Sequence, residues 1–161
     1  MRKITKFLVV SAILTVLFAV PVMAREVSFS SENTDYLIFM LENNSAKLNN
    51  DLAAFAKTQV GPNANVIIAN QTALVNSKIA AVNKECAQNH LAYLSAKVYN
   101  AKVLEGTRLA QLNNFKSLLA VSPTWQPQVD AAQREYNQAV AERQAAEAYY
   151  ATAQQKLAKY L

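Results

Sequence analysis

The stretch VDAAQREYNQAVAERQAAEAYYATAQQKLAKY, residues Val129 to Tyr160, decides the fold class. Its apolar side chains recur at alternating intervals of three and four residues, which is a heptad repeat. Such a repeat predicts a helix that pairs with another helix along one seam. Alternate seam positions are alanine until Tyr160, so two helix backbones can approach closely there. The seam positions are Val129, Ala132, Tyr136, Ala139, Arg143, Ala146, Tyr150, Ala153, Leu157 and Tyr160.

Two turns divide the rest of the chain into further helices. Gly61-Pro62-Asn63 ends the first helix, because glycine can adopt a left-handed conformation and proline cannot continue the hydrogen-bond ladder. In the second turn, VSPTWQP, Thr124 is favoured over Ser122 as the helix cap because it places Pro127 in the first turn. We predict helices at about residues 34–60, 65–120 and 125–161.

The second predicted helix is long, with roughly 56 residues and a length of about 84 Å. Antiparallel pairing across the first turn aligns residues whose numbers sum to about 124, and the second turn gives a sum of about 245. The sequence therefore predicts an all-α fold, an elongated antiparallel coiled-coil-like assembly of three helices with a very long central helix. It also predicts that both shorter helices end near the middle of the central one.

The first predicted helix contains an apolar run, Tyr36 to Leu41, that includes Phe39 and Met40. A helix with one buried stripe does not need six consecutive apolar residues. We predict that this run is buried at a junction between Cys86–Leu94 of helix two and the segment Leu157–Leu161. Two alternatives remain open, namely a compact bundle with a bent second helix and burial of the run in a dimer interface.

Residues 1–24 are typical of a bacterial secretory signal peptide. Arg2, Lys3 and Lys6 precede an apolar run from Phe7 to Val20, and small residues precede the predicted cleavage after Ala24. We therefore expect export to the periplasm or the extracellular medium. A short extension, residues 25–33, would precede a single helical domain, residues 34–161.

The charge balance argues against nucleic-acid binding. The full chain has a net charge of +5, but three of its 16 Lys and Arg residues and none of its 11 Asp and Glu residues lie in residues 1–24. The chain from Arg25 onward therefore has a net charge of only +2, and its cations are not clustered along a phosphate-binding stripe. No second apolar run reaches the roughly 20 residues of a bilayer-spanning helix.

Cys86 and His90 are the candidates for chemistry, because they lie four residues apart on one helical face and both can ligate a metal. They are also the only Cys and the only His, whereas a structural zinc site needs about four ligands. We therefore expect a buried Cys and a half-buried His, with no metal, cofactor or small-molecule substrate. A Cys86 disulfide between two chains is an alternative, and no pattern of catalytic residues indicates an enzyme.

Two further residues are candidates for contacts with partners. Trp125, at the tip of the second turn, is either an exposed anchor or a residue that packs over its own turn. Arg143, within the heptad seam, either specifies register and partner or packs its stem and extends its charge to Glu105. We favour the second interpretation for both.

Three functions are compatible with these patterns. The first is an exported, non-enzymatic helical protein with a structural role or a protein-binding role, through a protein partner or self-association. The second is a periplasmic holdase-type chaperone. The third is a membrane-active protein that inserts Tyr36–Leu41 and Val66–Val75, although both runs are too short to span a bilayer.

Overall fold

The computed structural model describes residues 33–161, and the predicted signal peptide lies outside them. Helix α1 spans Thr34–Thr58, α2 spans Ala64–Leu119 and α3 spans Gln126–Leu157. Short 3-10 turns occupy Pro123–Trp125 and Ala158–Tyr160. No strand occurs among these residues, so the all-α prediction and the very long second helix, at 56 residues, are confirmed.

The described residues divide into two compact units. Unit 1, residues 33–90 with Leu157–Leu161, packs α1 against the first part of α2. Two side-chain hydrogen bonds join these helices, Thr34 with His90 and Asn83 with Ser45, and their residue numbers sum to 124 and 128. These sums confirm the antiparallel pairing. The buried apolar residues are Leu37, Leu41, Leu48, Phe55, Val75, Cys86, Ala87 and Leu157.

Unit 2, Leu91–Lys156, pairs the rest of α2 with α3. Ion pairs join Glu105 to Arg143 and Arg108 to Glu135, and the sums of 248 and 243 again indicate antiparallel helices. Alanines are buried at several seam positions of α3. This agrees with the prediction that small side chains let the two helices approach closely. The buried apolar residues are Leu94, Leu112, Val129, Ala132, Ala139 and Ala153.

The first turn has the conformation that its sequence predicts, whereas the second turn does not. Gly61 has φ of 108°, the left-handed conformation that favours glycine. In the second turn, Thr124 lies inside a 3-10 turn that begins at Pro123, so the prediction that it caps α3 is wrong. The fixed φ of Pro123 starts helical winding directly after the extended Ser122. Pro127 lies in the first turn of α3, where its missing N–H is tolerated.

Candidate functional site

The apolar run in α1 is buried on one side only. Leu37 and Leu41 lie in the core of unit 1, and Met40 is partly buried. Tyr36 and Phe39 remain 48% and 60% exposed. The prediction that the whole run is buried is therefore wrong for Tyr36 and Phe39, because α1 packs along a single stripe that the two leucines occupy.

Cys86 and His90 both lie in the core of unit 1. His90 is fully buried, not half-buried as predicted, because the first residue of α1 covers it: Nε2 of His90 lies 3.0 Å from the Thr34 hydroxyl. Burial lowers the pKa of His90. Burial, with a smaller effect of the Glu85 carboxylate, raises the pKa of the Cys86 thiol to about 11. The thiol is free and buried, a state of low reactivity.

The C-terminal segment is held against α1 by polar contacts. Lys159 Nζ donates to Glu42 Oε1 at 2.6 Å, and the Tyr160 hydroxyl donates to the same oxygen at 3.3 Å. The hydrogen bond from Lys159 is the main cause of a lowered pKa at Glu42. These contacts agree with the prediction that the C-terminal segment lies beside the start of α1.

Arg143 is the centre of an ion-pair network in unit 2. Its Nε donates to Glu105, and its second guanidinium contact is with Glu147, at 2.6 Å. Lys102 also pairs with Glu147, at 3.0 Å. The hydrogen bond to Glu105 is the main cause of a raised pKa at Arg143. The prediction that Arg143 reaches Glu105 is confirmed, and carboxylates of the same chain balance the charge of Arg143.

Trp125 packs over its own turn. Its ring stacks on Phe115 of α2 with 6.0 Å between ring centroids and 28° between the ring planes. It is partly buried, which agrees with the interpretation favoured from the sequence.

A second stripe of apolar residues runs along the unit 2 part of α2. Its members are spaced by four, three, four, three and four residues and are all solvent-exposed. Tyr99 and Val103, at its centre, are 68% and 51% exposed. At 3.6 residues per turn, the stripe lies about half a turn away from Leu94 and Leu112, which face α3. We call it the outer seam: Ala92, Ala96, Tyr99, Val103, Gly106 and Ala110.

Sequence reasoning missed the outer seam, although its spacing is visible in the sequence. Helix α2 carries two apolar stripes at heptad spacing, and either one could face α3. The stripe through Leu94, Val98, Leu112, Phe115 and Leu119 has larger side chains, which indicate a packing face. Four of the six outer-seam residues are alanine or glycine, which contribute little to a hydrophobic pattern.

The remaining candidates for a ligand site are groups of metal-binding side chains and a groove in unit 2. Within residues 33–161, no group of three or more His, Cys, Asp or Glu side chains could hold a metal ion. A groove of about 90 Å³ in unit 2 is lined partly by Arg108, Glu135, Gln138 and Glu142. Arg108 pairs with Glu135 at 2.9 Å and Gln138 donates to Glu142 at 2.8 Å, so these polar groups satisfy one another.

None of the helices between residues 33 and 161 combines the length and hydropathy that a bilayer crossing requires.

Comparison with protein-family models, curated proteins and solved structures gives no significant match. The outer seam is therefore identified as the candidate functional site from its geometry alone.

Proposed function

We propose that this chain is an exported, non-catalytic, coiled-coil-like protein that works by binding other polypeptides through its helix surfaces. The outer seam is the observation that carries this proposal. It is an apolar stripe about 27 Å long at 1.5 Å per residue, on the side of α2 that α3 leaves open. Contiguous exposed apolar surface of this kind is typical of interaction sites.

The chemistry of the outer seam favours a helical partner. Residues at alternating intervals of three and four form one straight face, which a second helix can contact along its length. The six seam residues include no charge and, apart from the Tyr99 hydroxyl, no polar side chain. Recognition would therefore depend on shape and on burial of Tyr99 and Val103.

A periplasmic holdase-type chaperone is the second candidate. The exposed Tyr36 and Phe39 favour it, because aromatic side chains on an open helix face can hold unfolded chains without a fixed register. A holdase would delay aggregation of a heat-denatured reporter enzyme at near-stoichiometric ratios. Replacement of Phe39 by Ser should remove that effect, whereas replacement of Val103 by Ser should not.

Photo-crosslinking in the native host tests the main proposal. A photoreactive phenylalanine is placed at Val103 on the outer seam, and at the exposed Gln138 and Asn50 as polar controls. We expect discrete crosslinked species from position 103 and none from the controls. Equal labelling at all three positions, or none at position 103, would refute an interaction role for this surface.

Export is tested separately by the mass and location of the full chain expressed in a bacterial host. A processed chain that begins at Arg25 and is recovered outside the cytoplasm supports the proposal. An unprocessed chain that stays in the cytoplasm contradicts it.

A further inference from the structure

We infer that the outer seam binds a second copy of this chain and forms an antiparallel homodimer through α2. This inference rests on the proposed function, because it names the partner of the same surface. It is carried by Gly106, by the order of residues along the seam and by the distribution of charge around it.

Gly106 packs against no other helix in the part of the chain that the structure describes. It lies within the uninterrupted helix α2. Apart from its chain neighbours and the nearby backbone of α2, no heavy atom of residues 33–161 lies within 4 Å of the position that a Cβ would occupy. Glycine destabilises a helix interior relative to alanine, so its presence there has a cost without a benefit inside one chain. A close approach of a second helix backbone supplies the benefit, because only glycine adds no side chain between the two helices.

The order of residues makes the outer seam complementary to itself. In an antiparallel pair, the two-fold axis crosses the seam at its midpoint, and facing residues have numbers that sum to 202. Tyr99 then faces Val103 of the partner subunit, and Ala96 faces Gly106 of the partner subunit. Ala92 faces Ala110 of the partner subunit, so all six positions are used. A two-fold dimer uses the same patch on both copies, which this pattern satisfies.

Two charged side chains of α2 between Tyr99 and Gly106 form ion pairs with α3. Lys102 pairs with Glu147 at 3.0 Å, and Glu105 pairs with Arg143. The seam itself carries no charge, so two identical faces can meet without like-charge repulsion. A strongly charged partner would find no complementary group on this face, which favours a second copy over an acidic or a basic protein.

The expected contact is small, so the dimer should be reversible. About two-thirds of the Tyr99 surface is exposed, and burying it in the dimer would remove roughly 100–170 Å² per copy from solvent. Stable interfaces bury about 1,200–2,000 Å² in total, and contacts near the lower end of this range are weak. We therefore expect a monomer–dimer equilibrium at micromolar concentrations.

Sedimentation equilibrium measures the monomer–dimer constant. The sample is the full chain, expressed in a bacterial host, at concentrations from about 1 to 500 μM. We expect Val103→Glu to weaken dimerisation by at least about tenfold, since it places a carboxylate against Tyr99 of the partner subunit. The matched control is Val121→Glu, the same change at a turn residue that is 85% exposed and far along the chain from the seam. A wild-type chain that stays monomeric throughout, or a Val103→Glu dimer as tight as wild type, would overturn the inference.

Gly106→Ala separates dimerisation from folding. Because nothing among residues 33–161 fills the space beside Gly106, the variant should unfold at a higher temperature in dilute, monomeric samples. The added methyl group should at the same time weaken the dimer several-fold. A variant that dimerises more tightly would contradict the close backbone approach.

Disulfide trapping tests the orientation. Ala92→Cys and Ala110→Cys are prepared separately, with the buried Cys86 left in place and wild type as the blank. In the antiparallel dimer, the two thiols introduced at position 92 would lie about 27 Å apart, whereas a mixture of the two variants places position 92 beside position 110. Crosslinking in the mixture alone supports the inference, and crosslinking of the Ala92→Cys variant with itself, which a parallel pair allows, overturns it.

These experiments also distinguish the inference from the broader proposal. If the chain is monomeric but photo-crosslinking at position 103 captures a different protein, the interaction role stands and the homodimer is refuted. If neither experiment gives a specific product at position 103, both fail.

Discussion

His90 is a neutral imidazole enclosed in the core of unit 1. Its Nε2 meets the Thr34 hydroxyl, whereas Nδ1 is buried and has no hydrogen-bond partner among the described residues. A buried N–H without an acceptor costs more than an unused lone pair, so Nε2 carries the proton and donates to Thr34. Protonation would add a charge and an unsatisfied donor at Nδ1.

We predict that this histidine makes stability depend on pH. The pKa of His90 is lower in the folded chain than its ordinary 6.5, so the unfolded chain takes up a proton first as the pH falls. Stability should be constant between about pH 7 and pH 8 and should decrease below about pH 6.5, by at most about 1.4 kcal/mol per pH unit. The decrease should end where the pH reaches the folded pKa. Thermal unfolding between pH 8 and pH 5.5 measures it.

The chain has a single histidine, so the control is direct. His90→Gln keeps a polar side chain of similar size and should give nearly constant stability over the same pH range, even if its absolute stability is lower. An equally steep pH dependence in that variant would show that another group is responsible.

Asn33 determines where α1 begins. Its side-chain oxygen accepts hydrogen bonds from the backbone N–H groups of Asp35, at 2.9 Å, and Tyr36, at 3.3 Å. We expect Asn33→Ala to destabilise the protein by about 1 kcal/mol, because these N–H groups have no partner within the helix. Chemical denaturation measures the loss, and Asn33→Asp should retain most of the stability. Equal losses in both variants would argue against a capping role.

The alanines of α3 set the spacing of the helix pair in unit 2. Ala132, Ala139 and Ala153 are buried where α3 faces α2. We predict that Ala139→Leu destabilises unit 2 by about 1–3 kcal/mol, since added methylenes do not fit a closely packed seam. The control is Ala141→Leu on the exposed side of α3, which should change stability by no more than about 0.5 kcal/mol. A neutral Ala139→Leu would mean that the seam has spare volume.

The C-terminal segment completes the core of unit 1, although it is distant in sequence from the rest of that unit. Leu157 is fully buried, and Lys159 and Tyr160 both contact Glu42. Ending the chain at Lys156 should remove roughly 1.5–3 kcal/mol of apolar burial. Hydrogen exchange should then accelerate in α1, while the amides of unit 2 serve as an internal reference. Removing only the half-exposed Leu161 is the matched control, and unchanged exchange after the longer truncation would contradict the prediction.

Much of the fold could be predicted from local signals. Heptad spacing and two turn signals predicted the three helices, and the length of the arginine side chain predicted the contact of Arg143 with Glu105. The misplaced cap at Thr124 is an error of local turn geometry, and the other errors concern which side of a helix is covered. A run such as Tyr36–Leu41 does not indicate how many neighbours surround it, and α2 carries two stripes of similar spacing. Sequence periodicity shows which residues share a helix face but not which partner contacts that face. The outer seam could therefore be recognised only from the structure, in which α3 covers the opposite side of α2.

The single buried thiol provides a reporter of transient opening. Cys86 is the only cysteine in the chain, and its side chain lies in the core of unit 1. A thiol-reactive dye can label it only during opening, so the labelling rate divided by that of the unfolded chain gives the fraction of time that the core is open. While the core is closed, burial raises the pKa of this thiol to about 11 and keeps it in the unreactive thiol form. In an oxidising compartment, the same requirement for opening would limit the rate at which this chain forms mixed disulfides.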